Sequence, residues 1–247
     1  TVWGKQTKQH AVKFQKYNVN NTFVIGTPRF NDYFKKRNIN IRSNFKFKYI
    51  LFLESFNNFD NFSILKKLDN LIDSNKKFKN YKILYRPHPW QKKNRTTVWE
   101  KQFRNLILDP QLKKNYLSKN FSTSIQPNID YYSSLLKNSE IVITGPTSML
   151  IEASIFYKKT LLLGYKNKSS TPYSEELKNF EHLEGIKKFS NIRIVVEESN
   201  LINDLFDTYN IKINKKKIDK IRNYYLNYSG ISYKNMLFSV TKKIIND

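Results

Sequence analysis

Short, nearly unbroken apolar runs alternate with amphipathic stretches along most of this chain, and that alternation constrains the fold more than any other feature. KYILFLES (48–55) and YKILYRPHP (81–89) open with the near-continuous apolar character of strands buried on both faces. EIVIT (140–144), KTLLLGY (159–165) and NIRIVV (191–196) read as three further strands. Between the first two runs, FSILKKLDNLID (62–73) places Ile64, Leu65, Leu68, Leu71 and Ile72 at helical spacing. IDYYSSLLKNS (129–139), GPTSMLIEASIFY (145–157) and LINDLFDTYN (201–210) read as further helices, as do 215–228 and 232–246. Earlier in the chain NTFVIG (21–26) reads as a short strand and PRFNDYFKKR (28–37) as a helix with proline near its start. FSTSI (121–125) reads as a short strand, and 91–117 as a polar stretch with one or two helical pieces. Strand and helix at this spacing predict an α/β, Rossmann-like, doubly wound parallel sheet followed by terminal helices. The expected division is a remnant or linker at 1–43, the nucleotide-binding domain at 44–230 and a carboxyl-terminal helix at 231–247.

The 247 residues suffice for a sizeable core, and 16 Tyr with 18 Phe exclude a disordered chain. No apolar run approaches the ~20 residues a bilayer span needs. The absence of cysteine excludes disulfides, thiolate metal sites and cysteine nucleophiles, and suits a reducing compartment. The charge is +24, from 44 Lys and Arg against 20 Asp and Glu. Only 8 of those cations are arginine, the residue suited to bidentate phosphate and guanine contacts, so the excess argues weakly for nucleic acid. A basic face toward anionic lipid or a phosphorylated substrate is the stronger expectation.

Open α/β sheets bind ligands beyond the carboxyl ends of their strands, which selects two segments. Arg86-Pro87-His88-Pro89 follows YKILY. Its prolines stiffen the turn and remove backbone donors, leaving the Arg86 and His88 side chains to recognise a phosphate. Thr144-Gly145-Pro146-Thr147-Ser148 follows EIVIT. Gly145 permits close backbone approach, Pro146 fits a first helical turn, and Thr147 and Ser148 bring hydroxyls to a positive helix terminus. Glu152, one turn on, shares a face with Ser148 and is placed to meet a ribose diol. The competing readings are an ordinary proline-rich turn and an ordinary capped helix with a solvated acid. His182, in the FEHLEG loop, is a weaker candidate; His10 and the lysine run 214–217 are weaker still. Trp90 and Trp99 suit lid or packing positions. No GxGxxG, Walker or GxSxG motif is present, no D-x-D pair is available for a metal-bound diphosphate, and three scattered histidines make a poor metal site. The sequence therefore calls for no metal and no resident cofactor.

YRPHP after a buried strand, then EIVITGPTSMLIEASIFYKKTLLLGY (140–165), resembles the carboxyl-terminal half of GT-B glycosyltransferases of bacterial surface and capsular polysaccharide synthesis. The likeness is to the capsule Kdo and sialic acid transferases and the CDP-glycerol glycerophosphotransferases, and the non-hydrolysing UDP-GlcNAc 2-epimerases share the architecture. VWGKQTKQHAVKF (2–14) and VIGTPRFNDYF (24–34) resemble the segment joining the two GT-B domains. The resemblance implies a cytoplasmic, membrane-peripheral transferase with a nucleotide-sugar or CDP-linked donor and a glycan acceptor. It implies that His88 meets the donor phosphate, with Arg86 assisting. Thr147 and Ser148 would hold the phosphate or the donor's carboxylate region, and Glu152 the ribose. These enzymes carry an acceptor domain ahead of this one and draw the catalytic base from it, so no base is expected among these residues. Segments 91–117 and 166–181 are expected to cover the donor. The apolar faces of 215–246 (Ile218, Ile221, Tyr225; Leu237, Val240, Ile244) would dock on that preceding domain or on a second copy. A sugar-nucleotide epimerase and a basic nucleic-acid-binding module are the alternatives.

Overall fold

The computed structural model describes residues 1–55, 59–88, 93–118, 128–165, 183, 185–228 and 230–246. Six strands form one sheet: β1 Lys48–Leu53, β2 Tyr81–Arg86, β3 Leu106–Leu108, β4 Ile141–Thr144, β5 Lys159–Leu163 and β6 Ile192–Val195. Their order is β3-β2-β1-β4-β5-β6, and every pairing is parallel. This is a Rossmann-like, doubly wound α/β sheet, as the alternation of runs predicts.

Side-chain alternation along the strands divides the core in two. Ile50, Phe52, Ile83, Tyr85, Ile141, Ile143, Leu161 and Leu163 face one layer, where α3 (Asn61–Ser74) buries Ile64, Leu65, Leu68 and Ile72. In that layer α8 (Leu201–Asn210) adds Leu201 and Leu205. Tyr49, Leu51, Leu53, Leu84, Val142 and Leu162 face the opposite layer. It is built from α2 (Pro28–Asn38), α6 (Ile129–Asn138), α7 (Met149–Ile155) and α9 (Lys215–Tyr225). Phe30, Tyr33 and Phe34 of α2 are buried there, so the segment before β1 covers the face on which α6 and α7 lie.

Four expectations need correcting. The Ile218, Ile221 and Tyr225 face of α9 needs no preceding domain or second copy, because Ile218 and Tyr225 are buried in the second layer and Ile221 packs against it. NTFVIG forms no strand of the sheet, because only Val24 makes a single parallel bridge, to Val2. The stretch 91–117 is not a cover. It holds α4 (Lys93–Gln102), β3 and α5 (Pro110–Leu117), and it buries Trp99, Phe103, Leu106, Leu108, Leu112 and Tyr116 in the core. A strand of three residues between polar flanks is too short for alternation to reveal. The helix expected from Gly145 starts at Met149, so Pro146 lies in the preceding turn rather than in the first helical turn. The readings at 121–125, at 166–181 and at Trp90 fall outside the described residues. Two further helices, α1 (Lys5–Lys13) and α10 (Tyr233–Asn246), lie near the chain ends. Among the described residues no helix is long and apolar enough to cross a membrane.

Candidate functional site

The strand order reverses direction at β1, which pairs with β2 on one side and β4 on the other. At its carboxyl end Leu53 is in register with both Arg86 and Thr144. The turns after β2 and β4 therefore emerge at one rim, on either side of Glu54 and Ser55, about 10 Å apart by two strand spacings. That crevice is the topological switch point where open sheets of this kind take ligands.

On the β2 side, the Arg86 side chain points into the protein. Its Nη1 lies 2.6 Å from Asp109 Oδ2, its Nη2 donates to Gln111 Oε1 at 3.2 Å, and the guanidinium sits 5.2 Å from the Tyr132 ring centroid. Asp109 is fully buried and also accepts the Gln111 and Leu112 backbone N–H groups, capping α5. The Arg86 charge is thus committed to an internal ion pair. His88, two residues on, is half-buried at the rim. Its backbone N–H donates to Glu54 Oε2 at 3.0 Å. The same carboxylate accepts the Tyr85 hydroxyl at 2.8 Å and the Asn61 amide. Burial lowers the His88 pKa below the ordinary imidazole value, which favours the neutral ring in the absence of an anion.

On the β4 side, Gly145 is needed for close approach. A Cβ there would lie 2.2 Å from Ser55 Oγ and 3.2 Å from the Phe59 ring. Thr147 Oγ1 accepts the Met149 N–H at 3.1 Å, so this hydroxyl already caps α7. The Ser148 side chain makes no capping bond, and both residues are half-buried. Thr144 is fully buried, and its hydroxyl has no hydrogen-bond partner among the described residues. Glu152 is neither solvated nor at the surface. Its side chain is fully buried, 3.0 Å from Arg29 Nη2 of α2 through Oε1 and 3.2 Å through Oε2. Only the Oε2 contact has hydrogen-bond alignment, so Oε1 is held by charge alone. Burial pushes the Glu152 carboxyl up to about 7, against the pull of Arg29.

The structure brings His88, Gly145, Thr147 and Ser148 to one rim, turns Arg86 inward, and pairs Glu152 with the preceding segment. His182 lies outside the described residues. Glu54 and Ser55 are the rim residues that sequence reasoning passed over. The signal available was their position directly after the central strand. Among the described residues no group of three His, Asp or Glu side chains is placed to hold a metal.

No family model and no curated protein matches the sequence. Solved structures do match. The wall teichoic acid polymerase TagF is 15% identical with a TM-score of 0.55, over 99% of this chain and 58% of that one. The fold is GT-B-like. A second TagF structure, soaked with CDPG, aligns at 17% identity with a TM-score of 0.53, over 99% of this chain and 56% of its own. A putative UDP-N-acetylglucosamine 2-epimerase from Listeria monocytogenes aligns at 16% identity with a TM-score of 0.57, over 99% of this chain and 59% of its own. The GT-B-like chain thus spans a little more than half the length of the proteins it matches.

Proposed function

We propose that this chain is the nucleotide-binding half of a metal-independent GT-B transferase whose donor is a nucleotide-activated sugar or a CDP-glycerol-type compound. The reaction would serve surface-polysaccharide synthesis. The observation that carries the reading is the pair of turns, 86–88 and 145–148, flanking the switch point of a GT-B-like sheet. In this account residues 44–230 are the donor domain, 1–43 lead in from an acceptor domain, and 231–247 are a terminal helix.

In the transfer, an acceptor oxygen bonds to the donor group. The nucleotide leaves with the electrons of the broken bond, as a phosphate anion. His88 and the Thr147 and Ser148 hydroxyls would meet that charge in a partly dehydrated crevice, where hydrogen bonds to an anion are strongest. The acceptor's proton goes to a base outside the residues assigned here. Glu54 fixes the His88 backbone, and Arg86 with Asp109 fixes the floor beneath it. Contact with the ribose falls to Glu152, for which Arg29 would have to yield.

Calorimetry with CMP, CDP and UDP tests the site. Binding by the wild type that weakens about tenfold or more in His88→Ala is the expected result, the size of a lost hydrogen bond to charge. Equal affinity in the variant removes His88 from the site. The likeness to the epimerase supports a second reading, interconversion of UDP-sugars on the same scaffold. Product analysis separates the two, because an epimerase needs no acceptor.

A further inference from the structure

The amino-terminal edge of the sheet, opposite the donor crevice, carries a cluster of cations that the proposed transfer does not use. There α2 ends, α6 and α7 end just before β4 and β5 begin, and α9 starts. Between these ends lies a cavity of about 240 Å³ lined by Arg37, Asn38, Lys137, Phe156, Tyr157 and Lys215, with no acidic wall. Part of this charge belongs to the fold. Lys137 Nζ donates to the Arg37 carbonyl at 2.9 Å and to the Ile39 carbonyl, and Lys158 Nζ donates to the Lys137 carbonyl at 3.0 Å. These two lysines therefore answer the open carbonyl ends of α2 and α6.

The rest of the charge is centred on Tyr157. Its φ of +54° is left-handed, a conformation that costs a residue with a Cβ about 1–2 kcal/mol. Three cations surround its ring, with Arg37 at 5.2 Å, Lys215 at 5.5 Å and Arg222 at 6.0 Å from the centroid. A single carboxylate is paired with them. Asp219 accepts the Tyr157 hydroxyl at 3.0 Å and lies 2.5 Å from Arg222 Nη1 and 3.7 Å from Arg37 Nη1. Two positive charges are thus left over. Arg37 spends Nε on Asn38 and Nη1 on Tyr157, and its Nη2 makes no hydrogen bond among the described residues. Lys215 is exposed and, among the described residues, touches only the Tyr157 ring. Arg222 is 3% exposed, and its Nε has no hydrogen-bond partner among the described residues.

We infer that this cavity binds a phosphate dianion, inorganic or as a monoester, at a site separate from the donor crevice. A phosphate monoester carries about −1.5 to −2 charge near pH 7, which matches the excess, whereas a diester or a carboxylate brings half of it. Arg37 Nη2, the Lys215 ammonium and the third proton of Lys137 give three donors for three phosphate oxygens. Asn38 and Lys215 are exposed at the wall, so the fourth oxygen can carry a substituent toward solvent. A nucleic-acid backbone offers only diesters, one charge to each phosphate, and suits the cavity less well.

Calorimetry on the whole chain tests the site with inorganic phosphate, methyl phosphate and dimethyl phosphate. The first two should bind, and dimethyl phosphate about tenfold or more weakly. Arg37→Met should weaken inorganic phosphate about tenfold or more, the size of a lost hydrogen bond to charge. Lys215→Glu should do the same, and its exposed position keeps the fold intact if Arg37→Met unfolds the chain. Lys66→Glu makes the same change of charge on an exposed turn of α3 and should leave the affinity as it is. The binding that Lys215→Glu removes should survive in His88→Ala, which separates this site from the donor crevice. Equal losses in Lys215→Glu and Lys66→Glu would reduce the effect to net charge and overturn the inference. So would a wild-type chain that binds no phosphate, one that binds dimethyl phosphate as tightly, or a loss confined to His88→Ala.

Discussion

The two turns at the sheet rim differ in where their polar groups go. After β2, the Arg86, Asp109 and Glu54 side chains are turned inward and matched: Arg86 to Asp109 and Gln111, Glu54 to Tyr85, Asn61 and the His88 backbone. After β4, the Ser148 side chain makes no cap, and the buried Thr144 hydroxyl has no hydrogen-bond partner among the described residues. Buried polar groups are normally satisfied, so unmatched ones mark a place where water or ligand belongs. On the proposed reading, the β2 side builds the rim and the β4 side, together with the His88 ring, is the side offered to the donor. Substitutions on the first side should therefore fall on stability, and on the second mainly on binding.

The largest effect is expected from Asp109→Asn, which strands the buried Arg86 guanidinium and weakens the cap of α5. Urea unfolding should show a loss of about 3–5 kcal/mol, the range for a broken buried pair. A loss under about 1 kcal/mol would mean that the pair is not holding the rim.

Next comes pH. The Glu152 carboxyl is raised from 4.5 to about 7 in the folded chain, so between those values the folded state binds more protons than the unfolded one. Stability contributed by this group is accordingly present at low pH and declines as pH rises through that window, by an amount on the order of a few kcal/mol. Denaturation midpoints across the window should fall for wild type and stay flatter for Glu152→Gln. Parallel profiles would show that the Arg29 contact already keeps the carboxylate charged.

Gly145→Ala should cost about 1–3 kcal/mol by forcing a methyl group against Ser55. Ser55→Gly in the same chain should recover most of it, whereas an uncorrected loss would place the strain elsewhere. The smallest stability change belongs to Ser148→Ala, within about 0.5 kcal/mol, because its side chain caps nothing. Its effect should instead be a weaker affinity for CDP in calorimetry.

The sheet was legible because strands buried on both faces must be apolar throughout, and 48–53, 81–86, 141–144 and 159–163 are nearly so. β3 escaped notice because three residues carry no periodicity. Strand order cannot be read from a run, so the adjacency of β1 to both β2 and β4 came only with the structure. The candidate site was legible as strand-end turns, since sheets of this type bind ligands there whatever the sequence. Side-chain direction was not. Nothing in RPHP distinguishes an Arg86 aimed at a ligand from one paired with Asp109, because that partner lies 23 residues further on. Glu152 escaped for the same reason, its partner Arg29 being 123 residues away. Glu54 and Ser55 form no motif and acquire meaning only as the wall between the two turns.

A crystal structure of the chain grown with CDP would test the central claim most directly. The account predicts the phosphates in the crevice over Glu54 and Ser55, within hydrogen-bond reach of His88 on one side and of Thr147 or Ser148 on the other. Phosphates bound along α1, or at the rim without either turn, would contradict it.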